Sequence, residues 1–205
     1  MRLKYYILAA FLALPQGVVG QTFQNLSGAS GTLNQGLFST NLAWGDYDND
    51  GDLDLYVTNW GTSVSNPINA LFQNQGDGSF IDQAGVAGVA DNRNNLSAAW
   101  GDYDNDGNLD LYVTSFFSEQ DHLYNNNGDG TFTEVGRSRG LINLERRGSV
   151  TSVAWGDYNG DGHLDLYLGK YYFANALYNN NGDGTFAPVT DLDVGDKRDT
   201  NAVLW

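Results

Sequence analysis

An all-β fold built from repeated four-stranded antiparallel units is predicted by three features of this sequence. The triplet Trp-Gly-Asp begins at Trp44, Trp100 and Trp155, a period of 56 and then 55 residues. A second landmark alternates with it: LFQNQGDGSF from Leu71 to Phe80, then LYNNNGDGTF from Leu123 to Phe132 and from Leu177 to Phe186. Between the landmarks, apolar and polar residues alternate as in half-buried strands, with Leu53, Leu55 and Val57 against Asp54, Tyr56 and Thr58. Self-similarity at this period marks a repeat architecture, and the short β-branched and aromatic runs leave little room for helices.

The first twenty residues stand apart from the repeats. Arg2 and Lys4 precede the apolar run Tyr5 to Leu14, followed by Pro15 and a short exit through Val18 to Gly20. That order describes a secretory signal peptide, cut after Gly20, so residues 21–205 form the mature chain. The run is too short for a stable bilayer anchor, and no later stretch is long enough either. With no cysteine in the chain, neither a lipid-modified cysteine nor a disulfide framework is available despite export, which leaves metal ions as the staples.

Each repeat then follows one plan. A strand ends at the Trp, an acidic loop follows, a second strand leaves that loop, and a hairpin turns at Gly-Asp-Gly. Four short strands per repeat make a propeller blade, whose sheet must bury both faces against its neighbours. The repeats centre on 44–80, 100–132 and 155–186. Phe23 to Gly31 (FQNLSGASG) matches the post-hairpin segments FIDQAGVAG at Phe80 and FTEVGRSRG at Phe132, so the mature chain is expected to start within a repeat. Asn201 to Trp205 matches the strand that precedes each acidic loop, so a fourth repeat is expected to begin there and the sequence to be truncated.

The acidic loops read D-x-[DN]-x-D-G-x-x-D at 46–54, 102–110 and 157–165. They hold 12 of the 22 Asp, so the net charge of -15 is concentrated chemistry as much as solubilising charge. Removing the leader takes the charge to -17, and this balance argues against nucleic acid or an anionic membrane surface as partner. Carboxylates on alternate residues, followed by a glycine free to take a positive φ, curl oxygens around one point. A hard cation is the natural occupant, and size and ligand number favour Ca2+ over Mg2+. An EF-hand is excluded, because the twelfth loop position is Val57, Val113 or Leu168 in place of a bidentate Glu, and strands flank the loop.

WGDYDNDGDLDLYVTN, WGDYDNDGNLDLYVTS and WGDYNGDGHLDLYLGK, each paired with its hairpin segment, resemble FG-GAP/VCBS-type repeats. Such repeats form the blades of integrin α-subunit propellers and of exported bacterial proteins, including those ending in an ASPIC and UnbV type domain. The resemblance implies a calcium-binding propeller, usually of seven blades, with the metal loop joining the first two strands of a blade. In such a loop, positions 1, 3, 5 and 9 offer side-chain oxygens and position 7 its carbonyl. The implied ligands are Asp46, Asp48, Asp50 and Asp54 with the carbonyl of Asp52; Asp102, Asp104, Asp106 and Asp110 with that of Asn108; and Asp157, Asn159, Asp161 and Asp165 with that of His163. About three Ca2+ sites are expected, the third the weakest because Asn159 carries no charge.

In-phase Trp44, Trp100, Trp155 and Trp205 are expected to pack between blades, and Tyr47, Tyr103 and Tyr158 to cover the ions. Asp77, Asp129 and Asp183 fit turn chemistry, while His122 reads as solitary. Arg137 to Arg147 breaks the repeat with four basic residues and reads as a solvated connection or a contact for an acidic partner. The expected function is an exported, calcium-binding binding or adhesion module for an extracellular protein or carbohydrate ligand, secreted, at the cell surface or in the periplasm. The competing expectation is the non-catalytic scaffold of a secreted carbohydrate-active enzyme. Three Glu, no Cys and no in-phase acid–base pair outside the loops argue against catalysis within this chain.

Overall fold

A computed structural model describes residues 27–32, 38–61, 68–116, 120–141 and 149–190. The leader, the start of the fourth repeat at 201–205 with Trp205, and most of the basic stretch after Leu141 lie outside the described residues. Among the described residues, the regular structure is strand apart from two four-residue helices, α1 (Ser27–Ser30) and α2 (Ala84–Ala87).

The first sheet contains β1 (Phe38–Gly45), β2 (Asp54–Trp60), β3 (Ala70–Asn74) and β4 (Phe80–Asp82). The second contains β5 (Asn95–Gly101), β6 (Asp110–Ser115), β7 (His122–Asn126) and β8 (Phe132–Glu134). The third contains β9 (Val150–Gly156), β10 (Asp165–Lys170), β11 (Ala176–Asn180) and β12 (Phe186–Pro188). Within each sheet the strands neighbour one another in chain order and pair antiparallel, the meander of a propeller blade. The register repeats as well: Trp44 faces Leu55, Trp100 faces Leu111 and Trp155 faces Leu166. The expected four-strand repeat is therefore the one the chain adopts.

The core lies between sheets. Tyr47, Tyr56, Leu71 and Val89 from the first repeat close on Ala98, Leu111, Val113 and Phe132 of the second. Tyr103, Tyr112 and Leu123 from the second close on Val153, Leu166, Leu168 and Phe186 of the third. The middle blade is consequently buried on both faces, and every residue of β6 is buried.

The Trp-Gly pair sets how closely the blades approach. Trp100 donates its indole N–H to the Ala43 carbonyl at 3.1 Å, and Trp155 does the same to Ala99 at 3.3 Å. A β carbon on Gly45 would lie 2.7 Å from Trp100 Cδ1, and one on Gly101 would lie 2.7 Å from Trp155 Cδ1. Glycine is present because the next blade's indole fills the space a side chain would need. On the first sheet, Trp44 meets Phe80 edge-on, and Trp44, Leu42 and Leu53 remain exposed on that face.

Candidate metal loops

Antiparallel pairing puts the acidic loop and the Gly-Asp-Gly hairpin of each blade at the same end of its sheet. Each loop is shaped first by its own carboxylates. Asp46 accepts the backbone N–H groups of Asp50 and Gly51 at 3.0 and 2.9 Å, and Asp50 accepts that of Asp52 at 2.9 Å. Asp102 accepts from Asp106 and Gly107, both at 3.0 Å, and Asp106 accepts from Asn108 at 2.8 Å. Asn49 and Asn105 turn the chain with φ of 59° and 58°, ahead of Gly51 and Gly107 at 92° and 91°. The glycines take the positive φ expected of them; the asparagines are the other residue type that tolerates it.

These turns bring together Asp46, Asp48 and Asp50, and likewise Asp102, Asp104 and Asp106, with one oxygen from each carboxylate lying within 4.8 Å of the others. Either cluster can hold a metal ion. Asp48 Oδ2 accepts from Gln73 Nε2 at 2.6 Å, but Asp48 Oδ1 and Asp104 Oδ1 are buried and have no hydrogen-bond partner among the described residues. Burial, the largest cause, raises Asp46 and Asp104 above the usual carboxylate range, and neighbouring loop carboxylates add to it.

The position-nine carboxylates stand outside these clusters. Asp54 accepts from Tyr47 N–H at 3.2 Å with one oxygen and from Asn74 N–H at 2.8 Å with the other. Asp110 repeats the pattern with Tyr103 and Asn126, and Asp165 repeats it with Tyr158 and Asn180. All three are buried and tie the loop to the third strand of the blade. Burial is the main cause that pushes Asp54 and Asp110 up to about 7; their backbone N–H donors oppose it and the loop carboxylates reinforce it. Burial likewise raises Asp165.

The third loop is arranged differently. Asp157 accepts from Gly160, Asp161 and Gly162 N–H groups, and Asp161 accepts from His163 N–H at 2.9 Å, which lowers Asp161. Asn159 spends its amide on Asp161 Oδ2 and Asn179 Oδ1, both at 2.9 Å. With Asn in place of Asp at its third position, this loop carries two alternating carboxylates there where the first two loops carry three.

The structure corrects two expectations. Tyr47 and Tyr103 do not lie over the loops but are buried between blades, stacked on Trp100 and Trp155 at interplanar angles of 13° and 14°. The alternation inside the loop turns position two inward, so the ring joins the core. His122 is not solitary either: its nitrogens lie 3.6 Å from Asp91 and 3.6 Å from Glu134. Asp77, Asp129 and Asp183 do serve their turns, each accepting from the N–H and hydroxyl of the Ser or Thr two residues on.

Contacts between loops were not anticipated from sequence. Asn49 Nδ2 donates to Asn108 Oδ1 at 3.1 Å, and Asn105 Nδ2 donates to His163 Nδ1 at 3.1 Å, so position four of one loop grips position seven of the next. On position seven itself, Asp52 and His163 lie close over the hairpin glycines Gly76 and Gly182. Recurrence of Asn at position four in two successive loops was the available signal.

The FG-GAP-like repeat profile matches residues 46–113 and 109–168. A comparison with curated proteins finds no match. Among solved structures, the chain is similar to an Agrocybe aegerita lectin described by its specific recognition of non-reducing terminal N-acetylglucosamine. Identity is 20% with a TM-score of 0.43, over 77% of this chain and 38% of the lectin chain. The chain thus spans well under half of that protein's length. The two repeat matches run together from Asp46 to Leu168, more than half of the sequence, and they enclose the three acidic loops, β2, β6 and the first four residues of β10; the chain belongs to the FG-GAP-like repeat family.

Proposed function

We propose that this chain is an exported binding module whose acidic loops each hold a Ca2+ ion, the ions fastening blades that present a surface to an extracellular protein or carbohydrate. The observation that carries this reading is the pair Asp48 Oδ1 and Asp104 Oδ1, buried and unpaired within clusters of three carboxylates. An unpaired buried carboxylate oxygen is costly, and like charges gathered at one point repel. A hard cation answers both problems.

The residues fit the ion. Asp46, Asp48 and Asp50 would hold it in the first loop with the Asp52 carbonyl, and Asp102, Asp104 and Asp106 in the second with that of Asn108. Asp157, Asn159 and Asp161 with the His163 carbonyl would form the third and weakest site. Asp54, Asp110 and Asp165 accept two N–H bonds each and keep further lone pairs for the ion. An all-oxygen donor set suits Ca2+. At about 1 mM free Ca2+ and a Kd of roughly 0.1 mM, each site would add about 1.4 kcal/mol.

Family membership and the leader-like first twenty residues support an exported setting. We assign these residues no catalysis. The exposed Trp44 and Leu53 occupy the places of Trp100 and Leu109, whose side chains close on Gly45 of the preceding blade. A neighbouring blade of a larger closed propeller fits that face, and seven blades is the number the family resemblance implies.

Calorimetric titration with Ca2+, paired with melts in Ca2+ and in chelator, tests the reading. Saturable binding with a raised melting temperature, losing the second-loop equivalent in Asp104→Asn, is the expected result. No heat from a folded protein, with coincident melts, would remove calcium from the account.

A further inference from the structure

The end of the sheets opposite the acidic loops carries a pattern that metal binding does not use. In every repeat the sixth residue after the last loop Asp is aromatic: Trp60, Phe116 and Tyr171. Each stands at or just past the end of the second strand, so the strand length separates it from the loop by roughly 20 Å. The core closes before this point, at buried Thr58, Asn59, Thr114 and Ser115, so these rings are not needed to fill it.

Two of these rings meet across a blade boundary. Trp60 and Phe116 meet across the boundary between the first and second sheets with centroids 5.7 Å apart and planes at 46°. In the third repeat Tyr171 and Tyr172 pack at 4.0 Å with their hydroxyls 3.0 Å apart. Trp60 is 41% exposed and Tyr172 65%. Asn94 ties the two chain segments that carry these rings: its backbone carbonyl accepts Phe116 N–H at 2.7 Å, and its side-chain Oδ1 accepts Gly61 N–H at 2.9 Å. The exposed Gln120 supplies another amide nearby in sequence.

Among the described residues, charge at this end is largely consumed internally. Arg93 is paired to Asp91 at 2.9 Å, and Asp121 accepts from Tyr112 hydroxyl and Ser115 N–H. The overall charge of -15 disfavours an anionic ligand, and a cation is drawn to the acidic loops at the other end. Among the described residues, this end then offers aromatic faces with amides near them.

The geometry points to this end as a glycan-binding face, with Trp60 and Tyr172 as its exposed stacking platforms and a neutral oligosaccharide as ligand. A sugar ring presents C–H groups of partial positive charge to the negative face of an aromatic ring, while its hydroxyls pair with amides. The inference rests on the reading of the chain as a binding module and deepens it by naming the ligand class; it does not depend on which cation fills the loops.

The test uses the full mature chain in calcium and titrates cellohexaose, chitohexaose, laminarihexaose and mannohexaose by calorimetry. Binding of at least one is expected, weakened about tenfold or more in Trp60→Ala and in Tyr172→Ala and held within about threefold in Trp60→Phe. Melts of each variant in calcium and in chelator establish that the blades remain folded. Asp104→Asn should lose the second-loop share of the calcium heat and keep the glycan. A folded protein that binds none of these sugars, or equal binding by the Ala variants, overturns the proposal, as does capture of a protein ligand undiminished by Trp60→Ala. Glycan binding without any calcium heat would sink the metal reading alone.

Discussion

Asn126 Nδ2 donates to the Tyr47 carbonyl at 2.7 Å across a separation of 79 residues, binding the third strand of the second blade to the acidic loop of the first. The same amide reaches the Leu109 carbonyl at 3.1 Å within its own blade, and Asn180 repeats the bridge to Tyr103 and Leu164. One buried side chain therefore fixes the entry of one loop to the exit of the next. Replacing Asn126 by Ala leaves two carbonyls without that donor, at about 1–3 kcal/mol for each group left unpaired. Urea unfolding should show this loss for Asn126→Ala and Asn180→Ala. Asn74→Ala should lose less, because its bond to Leu53 lies exposed.

Gly45→Ala should destabilise by about 1–3 kcal/mol through overpacking, because the new methyl meets the Trp100 ring. Gly101→Ala should do the same against Trp155. Gly85→Ala is the matched control: it stands in a short helix with nothing within 4 Å of the added carbon, and should leave the unfolding midpoint unchanged or slightly raised. Equal losses at all three positions would remove the steric explanation.

Asn159→Asp should tighten the weakest calcium site by roughly tenfold, since it restores the third alternating carboxylate and ends the Asn159–Asp161 bond. Calorimetry that resolves the weakest binding step is the measurement. An unchanged step would mean that the backbone shape of this loop, with Gly160 at position four, governs affinity instead of charge.

Asp121 should make stability depend on pH. Its burial pushes it up to about 7 from an ordinary 3.8, against the N–H of Ser115, the hydroxyl of Tyr112 and the nearby Lys170 and Arg93 charges. Between those values the folded state keeps a proton that the unfolded chain has released, so stability falls as pH rises through this window. Asp121→Asn should flatten that part of the curve in urea titrations at constant calcium. A wild-type and variant difference that does not change between pH 4 and 7 would place the effect elsewhere.

The sequence by itself determined the blades and the three acidic loops. Loop shape is local, since Asp46 binds N–H groups four and five residues on, and the period of Trp44, Trp100 and Trp155 repeats that local rule. Tertiary structure decided what local spacing cannot. It turned Tyr47 onto Trp100 instead of over the ion, gave Asp54 to the backbone of β3, set His122 between Asp91 and Glu134, and linked Asn49 to Asn108. The contacts of Tyr47 with Trp100 and of Asn49 with Asn108 depend on how far the next sheet is rotated and how closely it approaches, and that distance follows from side chains packing into one another across the blade boundary, as Trp100 packs onto Gly45; those of Asp54 and His122 depend on which strands the sheet sets side by side.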